Sequence, residues 1–266
     1  MEECIVENEC KRRQLLEKIK EFRLLDDDFM SKVFEDDYEC IELLLHIIME
    51  KPDLKVKEAH TQYSIKNLLG RSVRLDILAI DKLGKKYDIE VQRADKGAGV
   101  KRARYNSSLV DASSLVPGSD FDDLPEVYVI FITENDILRG NQPIYHVERV
   151  IKETGEPFQD ESHIIYVNGS YRDETPLGKL MYDFSCRDPK DMNYKVLADR
   201  TRYFKENEKG VATMCKIVED LISEEKKEIA LKMLKDRKLA KEEIANYFGL
   251  TLEEVEMLEE EIAQRV

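Results

Sequence analysis

The sequence predicts a mixed α/β core that is followed by helices. Two β-type segments, residues 71–80 and 86–92, are joined by Lys82-Leu83-Gly84 in the manner of a three-residue hairpin. A third segment of β-branched and aromatic residues, 126–133, follows a helical stretch, and helical patterns dominate after residue 177. These segments favour a central mixed sheet flanked by helices, with a helical C-terminal extension.

Helical patterns occupy most of the first fifty residues. Residues 1–25 predict a charged amphipathic helix or a frayed lead-in. The three Asp residues at 26–28 offer N-cap side chains for a helix over residues 29–34, and a further helical pattern covers residues 41–49. Residues 55–70 have no clear pattern, so we make no assignment there.

The middle of the sequence predicts the sheet. Segment 71–80 carries apolar residues on both alternating faces, as a strand does when both of its faces are covered. Segment 86–92 alternates strictly between apolar and polar residues. Residues 98–115 have the composition of a helix, and residues 143–150 and 163–167 predict two further strands.

The remainder of the sequence predicts helices. Helical patterns run over residues 177–236 with breaks at Asp188-Pro189 and Gly210, and two short helices follow around Gly249. We therefore predict four parts: a charged lead-in over residues 1–25, a core over 26–176, a helical extension over 177–236 and an acidic helical hairpin over 237–266.

Composition excludes several classes of protein. Among the 266 residues, the longest apolar runs fall far short of the ~20 residues that span a bilayer. The first twenty residues are rich in charged side chains and lack the apolar core of a signal peptide. The five cysteines are odd in number and scattered, which is untypical of a disulfide framework or a zinc ribbon. We expect a cytoplasmic protein with no membrane partner.

Charge is unevenly distributed along the chain. The net charge is −14, which argues against non-specific coating of nucleic acid, but residues 85–104 contain seven basic residues and only three acids. Residues 242–261 contain eight Glu and no base. The helix-turn-helix-like pattern over residues 238–258 is therefore too acidic to enter a DNA groove. We expect it to pack against the core or a second subunit, so homo-oligomerisation through the helical C-terminal region is a hypothesis.

Two acids on the predicted hairpin are candidates for chemistry. If the loop is centred on Leu83, Asp76 lies opposite Glu90, and carboxylates this close share a proton or a cation. Mg²⁺ prefers one or two carboxylates with water and phosphate oxygens. Gln92 projects from the same face as Glu90 and could position water or a phosphate oxygen. Alternatively, the acids face solvent and pair with nearby Lys or Arg, although the apolar neighbours of Asp76 argue against that.

Residues 74–81 (RLDILAID) and 87–93 (YDIEVQR) carry a family resemblance. They resemble the PD-(D/E)XK nuclease superfamily and, more narrowly, the Rpn-type recombination-promoting nuclease and transposase family. The similarity extends over about residues 26–222 and includes three further stretches: residues 94–97, 101–105 and 128–136.

The resemblance implies a restriction-endonuclease-like core and cleavage of DNA phosphodiester bonds that depends on Mg²⁺, or on Mn²⁺, and promotes recombination. It makes Asp76 and Glu90 metal ligands, together with the backbone carbonyl of Val91. The first helix of the superfamily often adds an acid, for which Glu42 is the candidate and Glu39 is nearly as good.

One residue departs from the superfamily pattern. Gln92 occupies the position of the superfamily lysine, although Glu-x-Gln is the common form in the Rpn-like group. Gln carries no positive charge, so the metal would supply more of the transition-state stabilisation. We expect slow or conditional cleavage. A catalytically weak or inactive nucleic-acid-binding or assembly module that keeps the nuclease fold is the alternative.

The predicted helix over residues 98–115 begins with basic residues beside the acid pair. Lys101 shares a helix face with Arg104 and Tyr105. We expect this face to contact the DNA backbone through charge, with Tyr105 donating to phosphate or stacking on a base. The alternative is a solvated face with Tyr105 as a half-buried anchor. The DNA-binding candidates are Lys101, Arg102, Arg104 and Tyr105.

Overall fold

The chain forms two compact units in the computed structural model, which describes residues 2–67, 70–93, 95–236 and 239–264. One unit comprises Lys20–Asn207 and contains the whole sheet. The other comprises Met1–Ile19 together with Glu208–Val266. This division differs from the four predicted parts, because contacts group the residues before 20 with the helices after 207.

The elements follow the predicted order, with one additional strand before the hairpin. The strands of the described residues are β1 (Val56–Ile65), β2 (Val73–Asp81), β3 (Lys86–Gln92), β4 (Val127–Thr133), β5 (Ile144–Val147) and β6 (Ser162–Asn168). The helices are α1 (Glu2–Glu21), α2 (Asp27–Phe34), α3 (Tyr38–Ile48), α4 (Val100–Ser114), α5 (Pro176–Ser185), α6 (Lys195–Glu206), α7 (Glu208–Asp236), α8 (Lys241–Phe248) and α9 (Leu252–Gln264). Among the described residues, no helix combines the length and apolar character needed to cross a membrane.

The six strands form one mixed sheet in the order β1-β2-β3-β4-β6-β5. Neighbours are antiparallel from β1 to β3, parallel from β3 through β4 to β6, and antiparallel again between β6 and β5. Helix α4 connects β3 to the parallel strand β4, as a parallel connection requires. The predicted mixed α/β fold with flanking helices is confirmed.

Strand β1 lies at one edge of the sheet, in the region where the sequence has no clear pattern. Of its ten residues only Val56 and Ile65 are buried, and the register shifts between Val56 and Glu58. An edge strand with polar residues on both faces lacks the alternation by which strands are recognised. Its pairing with β2 therefore depends on the rest of the sheet.

The hairpin of β2 and β3 has the predicted register. Ile77 pairs with Ile89 and Ile80 pairs with Lys86, so the loop is centred on Leu83 as expected. Gly84 has a φ of +86°, a left-handed conformation that glycine adopts without steric cost. This register places Asp76 and Glu90 one residue beyond the Ile77–Ile89 pair.

Helix α4 covers one face of the sheet. Its buried residues Ala103, Leu109 and Val110 join a core cluster that includes Leu78 of β2 and Phe131 of β4. Because side chains alternate along a strand, the face of β3 that carries Asp88, Glu90 and Gln92 is the face that α4 covers. The first turns of α4 are thereby placed against the acid pair.

Helices α5 and α6 belong to the same unit as the sheet, although the sequence analysis assigned them to the helical extension. Their aromatic rings pack against those of α2. The ring centroids of Phe184 and Phe34 lie 6.2 Å apart, and those of Phe204 and Phe29 lie 6.5 Å apart. Arg200 of α6 also donates to the backbone carbonyl of Val33 at 3.0 Å. The apolar faces of α5 and α6 therefore complete the core of this unit.

The second unit contains the helices α7, α8 and α9. Their shared apolar cluster includes Ala230, Ile244 and Val255, and Gly249 ends α8 with a φ of +63°. The two short helices around Gly249 are confirmed. The predicted break at Gly210 is wrong, because Gly210 lies buried inside α7 and the chain leaves helical conformation at Asn207 instead.

Candidate active site

The two acids of the hairpin are buried side by side. Asp76 is 5% exposed and Glu90 is 0% exposed. The backbone N–H of Val91, the residue after Glu90, donates to Oδ2 of Asp76 at 2.8 Å. The alternative in which both acids face solvent is therefore wrong.

Burial of these acids changes their ionisation. Loss of hydration and, to a smaller extent, repulsion from the neighbouring Glu90 together raise the pKa of Asp76 to about 8. The pKa of Glu90 is also raised, first by burial and then by the nearby Asp88. At neutral pH, in the absence of another cation, this cluster retains protons that isolated carboxyl groups would release.

Both oxygens of Glu90 accept hydrogen bonds from helix α4. Arg102 pairs through Nη2 with Oε2, and Nδ2 of Asn106 donates to Oε1 at 3.2 Å. Arg102 also donates through Nη1 to the carbonyl of Gly97 at 2.8 Å, and its guanidinium lies 5.8 Å from the ring centroid of Phe131. One turn of α4 therefore holds the Glu90 carboxylate in place.

Asp88 is a third buried acid, which the sequence analysis did not select. It is fully buried, and Nδ2 of Asn106 donates to its Oδ2 at 3.1 Å. Oδ1 of Asp88 and Oδ1 of Asn106 have no hydrogen-bond partner among the described residues. Burial raises the pKa of Asp88. Its position two residues before Glu90 on one strand was the available signal, because alternate strand residues share a face.

Gln92 lies against a glycine of the following 3-10 helix, Asp95–Ala98. A Cβ atom placed on Gly97 would lie 1.9 Å from Oε1 of Gln92. Only glycine at this position lets the Gln92 amide occupy its place. The structure thus brings Gln92 to the same groove as Asp76, as expected from its position on β3.

Glu42 is not brought to the acid pair. Its carboxylate accepts from the backbone N–H of Val56 at 3.0 Å and pairs with Lys55 at 2.7 Å, which lowers its pKa despite some burial. Glu42 was predicted because it lies in the helix before the hairpin, but strand β1 follows that helix and engages the Glu42 carboxylate instead. Glu39, the other candidate, lies beside residues 36–38 and not in the groove.

Asp27 is the helix acid that lies beside the hairpin acids. It is at the start of α2, lines the same groove as Asp76, and its charge contributes to the raised pKa values of Asp76 and Glu90. Its Oδ1 accepts from Nε2 of Gln62 of β1 at 2.9 Å. No signal in the sequence marked it apart from its place in the first turn of a helix.

A basic groove of about 1220 Å³ lies beside the acids. This exceeds the roughly 300–1,000 Å³ that is typical of small-molecule pockets, so the groove suits part of a larger ligand. Lys101 and Arg104 line it with their side chains exposed, as expected. Arg71, just before β2, and Arg74, within β2, also line it, and neither was predicted from the sequence as a DNA contact.

Tyr105 acts as a half-buried anchor in this structure. Its hydroxyl donates to the carbonyl of Arg71 at 2.5 Å and accepts from Nδ2 of Asn67 at 3.3 Å, while its ring packs against the core under α4. These contacts favour the structural alternative over a ring that stacks on a base. Tyr105 thereby ties the start of β2 to α4.

The donor set limits which metal the centre could hold. Within residues 2–67, 70–93, 95–236 and 239–264, no cluster of three or more His, Cys, Asp or Glu is arranged for a metal ion. Asp76 and Glu90 instead supply two hard oxygen ligands. This set fits a small divalent cation such as Mg²⁺, which takes its remaining ligands from water and phosphate oxygens.

A mixed sheet with two buried acids on its central hairpin and a basic groove beside them defines a nuclease-like α/β protein. A protein family described as PD-(D/E)XK nuclease family transposase matches residues 29–172, which is more than half of the chain. The chain belongs to this family, and the resemblance seen in residues 74–81 and 87–93 is confirmed. No curated protein and no solved structure matches the chain.

Proposed function

We propose that this protein is a metal-dependent DNA endonuclease that hydrolyses phosphodiester bonds and thereby promotes recombination. The observation that carries the proposal is the buried pair Asp76 and Glu90, of which Asp76 lines a groove together with five basic side chains. Buried carboxylates need a cation or a proton, and a basic groove attracts phosphate. Family membership supports a nuclease-like activity.

Each part of the site has a role in this proposal. Asp76, Glu90 and the backbone carbonyl of Val91 would hold Mg²⁺, or Mn²⁺ in its place. When bound, such a cation neutralises charge on the phosphate and lowers the pKa of a bound water. Gln92 would orient the attacking water or a phosphate oxygen through its amide.

Basic residues hold the DNA strand in this proposal. Lys101 and Arg104 line the groove from α4, whereas Arg71 precedes β2 and Arg74 lies in its second position. Contacts of this kind position a backbone without reading its sequence. The substrate class is therefore DNA whose phosphates lie along the groove and pass close to Asp76.

Conversion of supercoiled plasmid to nicked and linear forms tests the proposal. Reactions contain Mg²⁺, Mn²⁺ or EDTA, and wild type is compared with Asp76→Asn and with Asp53→Asn, an exposed acid outside the groove. We expect metal-dependent cleavage by wild type and Asp53→Asn, and a loss of about 100-fold or more in Asp76→Asn. Equal cleavage by a folded Asp76→Asn variant would show that this pair is not the active centre.

The second candidate function is a nucleic-acid-binding or assembly module with weak or no cleavage. The observation that favours it is Gln92 at the position of the superfamily lysine, since an amide cannot neutralise transition-state charge as an ammonium does. Salt-dependent DNA binding without product in Mg²⁺ or Mn²⁺ would support this alternative.

Assembly and location are separate proposals. We propose a cytoplasmic protein that forms homo-oligomers through its helical C-terminal region, where α9 carries a dense acidic sequence. Light scattering of the full chain over a range of concentrations measures its mass. A mass equal to one chain of 31.1 kDa at every concentration would contradict the oligomer.

A further inference from the structure

Arg102 connects the buried centre with the DNA groove. Its guanidinium pairs with Glu90, which is 0% exposed, whereas the side chain of Arg102 is 37% exposed and lines the groove. Within the described residues, Arg102 is the one basic side chain of the groove that forms an ion pair or hydrogen bond with Glu90. Arg102 therefore faces both the candidate metal ligand and the place proposed for the substrate.

The Arg102 guanidinium and a divalent cation would compete for the Glu90 carboxylate. Both are attracted by the same carboxylate, and two cations a few ångströms apart in a poorly hydrated site repel each other strongly. Nδ2 of Asn106 donates to the other Glu90 oxygen at 3.2 Å, so the carboxylate remains oriented if the guanidinium leaves. Asn106 carries no charge and does not oppose a metal in this way.

Phosphate is an alternative partner for the same guanidinium. Arginine forms strong, often bidentate hydrogen bonds with phosphate oxygens, and its planar group suits that geometry. The other contacts of Arg102 are weaker. Its guanidinium donates a hydrogen bond of 2.8 Å to the carbonyl of Gly97, and its Cζ atom lies 5.8 Å from the ring centroid of Phe131. A phosphate in the groove therefore competes with Glu90 for Arg102.

We propose that Arg102 couples DNA binding to metal binding, by pairing with Glu90 in the empty groove and moving to a phosphate when DNA enters. This positioning role rests on the proposed nuclease function and names how its metal centre is regulated. Departure of the guanidinium frees the Glu90 carboxylate for the cation. By thermodynamic linkage, the metal in turn strengthens DNA binding by the same factor.

The first test measures metal affinity in the absence of DNA. Calorimetric titration with Mn²⁺ compares wild type with Arg102→Gln, with the charge-retaining Arg102→Lys and with Arg104→Gln. We expect Arg102→Gln to bind Mn²⁺ about tenfold more tightly than wild type. Arg102→Lys and Arg104→Gln should remain within about threefold of wild type, because each keeps a cation beside Glu90.

The second test measures DNA affinity by fluorescence anisotropy, in Ca²⁺ and in EDTA at matched ionic strength. We expect Ca²⁺ to tighten DNA binding by wild type and Arg104→Gln about tenfold more than it tightens binding by Arg102→Gln, in which only direct contact between cation and phosphate remains. If Arg102→Gln does not fold, the Nε–H resonance of Arg102 in the wild-type protein replaces this comparison. It should shift when DNA is added in EDTA, and an unchanged resonance would overturn the proposal.

The outcomes separate this inference from the function on which it rests. Binding of Mn²⁺ by wild type but not by Asp76→Asn would support the metal centre. If Arg102→Gln then binds Mn²⁺ no more tightly than wild type, the coupling is overturned while the metal centre stands. If neither wild type nor Arg102→Gln binds Mn²⁺ at millimolar concentration, with DNA or without it, the metal centre and the coupling both fail.

Discussion

The backbone N–H of Val91 donates a hydrogen bond of 2.8 Å to Oδ2 of Asp76, across the hairpin that pairs Ile77 with Ile89. A backbone N–H has a direction fixed by the strand, whereas a side-chain donor can rotate. The orientation of Asp76 therefore depends on the hairpin register, whereas that of Glu90 depends on Arg102 and on the rest of α4. The two proposed metal ligands are held by different parts of the fold.

The ionisation of Asp76 predicts how stability varies with pH. Its pKa is about 8 in the folded protein, against about 3.9 for an unfolded Asp. Between these values the folded state binds a proton that the unfolded state has released, so the free energy of unfolding falls as pH rises from about 4 to 8. Asp76→Asn removes this contribution. In EDTA we expect the variant to gain on the order of 3 to 4 kcal/mol over wild type between pH 5 and pH 8.

Urea unfolding of both proteins at pH 5 and pH 8 measures this difference. Glu90 and Asp88 titrate in both proteins, and Asp76→Asn also removes the charge that raises the pKa of Asp88, so the difference reports Asp76 together with its effect on that neighbour. Parallel stability profiles for wild type and Asp76→Asn would mean that Asp76 ionises at its ordinary pKa.

The contact between Gly97 and Gln92 predicts the effect of a small substitution. In Gly97→Ala the new methyl group would lie 1.9 Å from Oε1 of Gln92, so the amide must move. Because the end of a flexible side chain moves easily, we expect little change in melting temperature. Misplacement of the amide should lower the rate of DNA cleavage about tenfold or more, since catalytic groups tolerate little displacement.

Gly99→Ala is the matched control, because no atom lies within 4 Å of a Cβ at Gly99. Its cleavage rate should remain near that of wild type. Equal rates for Gly97→Ala and Gly99→Ala would show that the position of the Gln92 amide does not matter for cleavage.

The groove bases predict a salt-dependent affinity for DNA. Arg74→Gln removes one exposed cation from the groove. We expect weaker DNA binding and a slope of log affinity against log salt that is smaller by about 0.9. Lys152→Gln, which alters an exposed residue outside the groove, should leave both quantities unchanged. Indistinguishable salt slopes in the two variants would place the DNA elsewhere.

The contacts of Tyr105 predict that it serves stability more than DNA binding. Tyr105→Phe keeps the ring against the core and removes the hydrogen bond to the carbonyl of Arg71. We expect a loss of about 1 kcal/mol in the free energy of unfolding, with DNA affinity within about twofold of wild type. A large loss of DNA affinity at unchanged stability would instead support a phosphate contact of the hydroxyl.

Prediction from the sequence was most successful where local geometry decides the outcome. A three-residue loop with a left-handed glycine sets the register of its hairpin, so Gly84 and the alternation of residues 86–92 were enough to place Asp76 beside Glu90. The positions of β4, β5 and β6 along the chain were also predicted from their apolar segments. Strand β1 was missed because it is an edge strand with polar residues on both faces, so its sequence lacks the alternation that marks a strand.

The choice among acids and bases around that pair depends on long-range packing. Asp27 and Glu42 are both acids of helices that precede the hairpin, and nothing in their local sequence separates them. Strand β1 engages Glu42 through Val56, while the packing of α2 leaves Asp27 at the groove. Such contacts join residues that are distant in the chain, so only the assembled core selects between them.

The amino-acid pattern alone was sufficient for the hairpin and its register, because turn geometry and strand alternation act over a few residues. The family was indicated by the resemblance of residues 74–81 and 87–93. Tertiary structure decided which side chains surround Asp76 and Glu90. Arg102 and Asn106 reach Glu90 because α4 packs across β3, and Arg71 joins the groove because Tyr105 ties it to α4. These partners come together through burial of apolar surface across the whole sheet, which no short segment specifies.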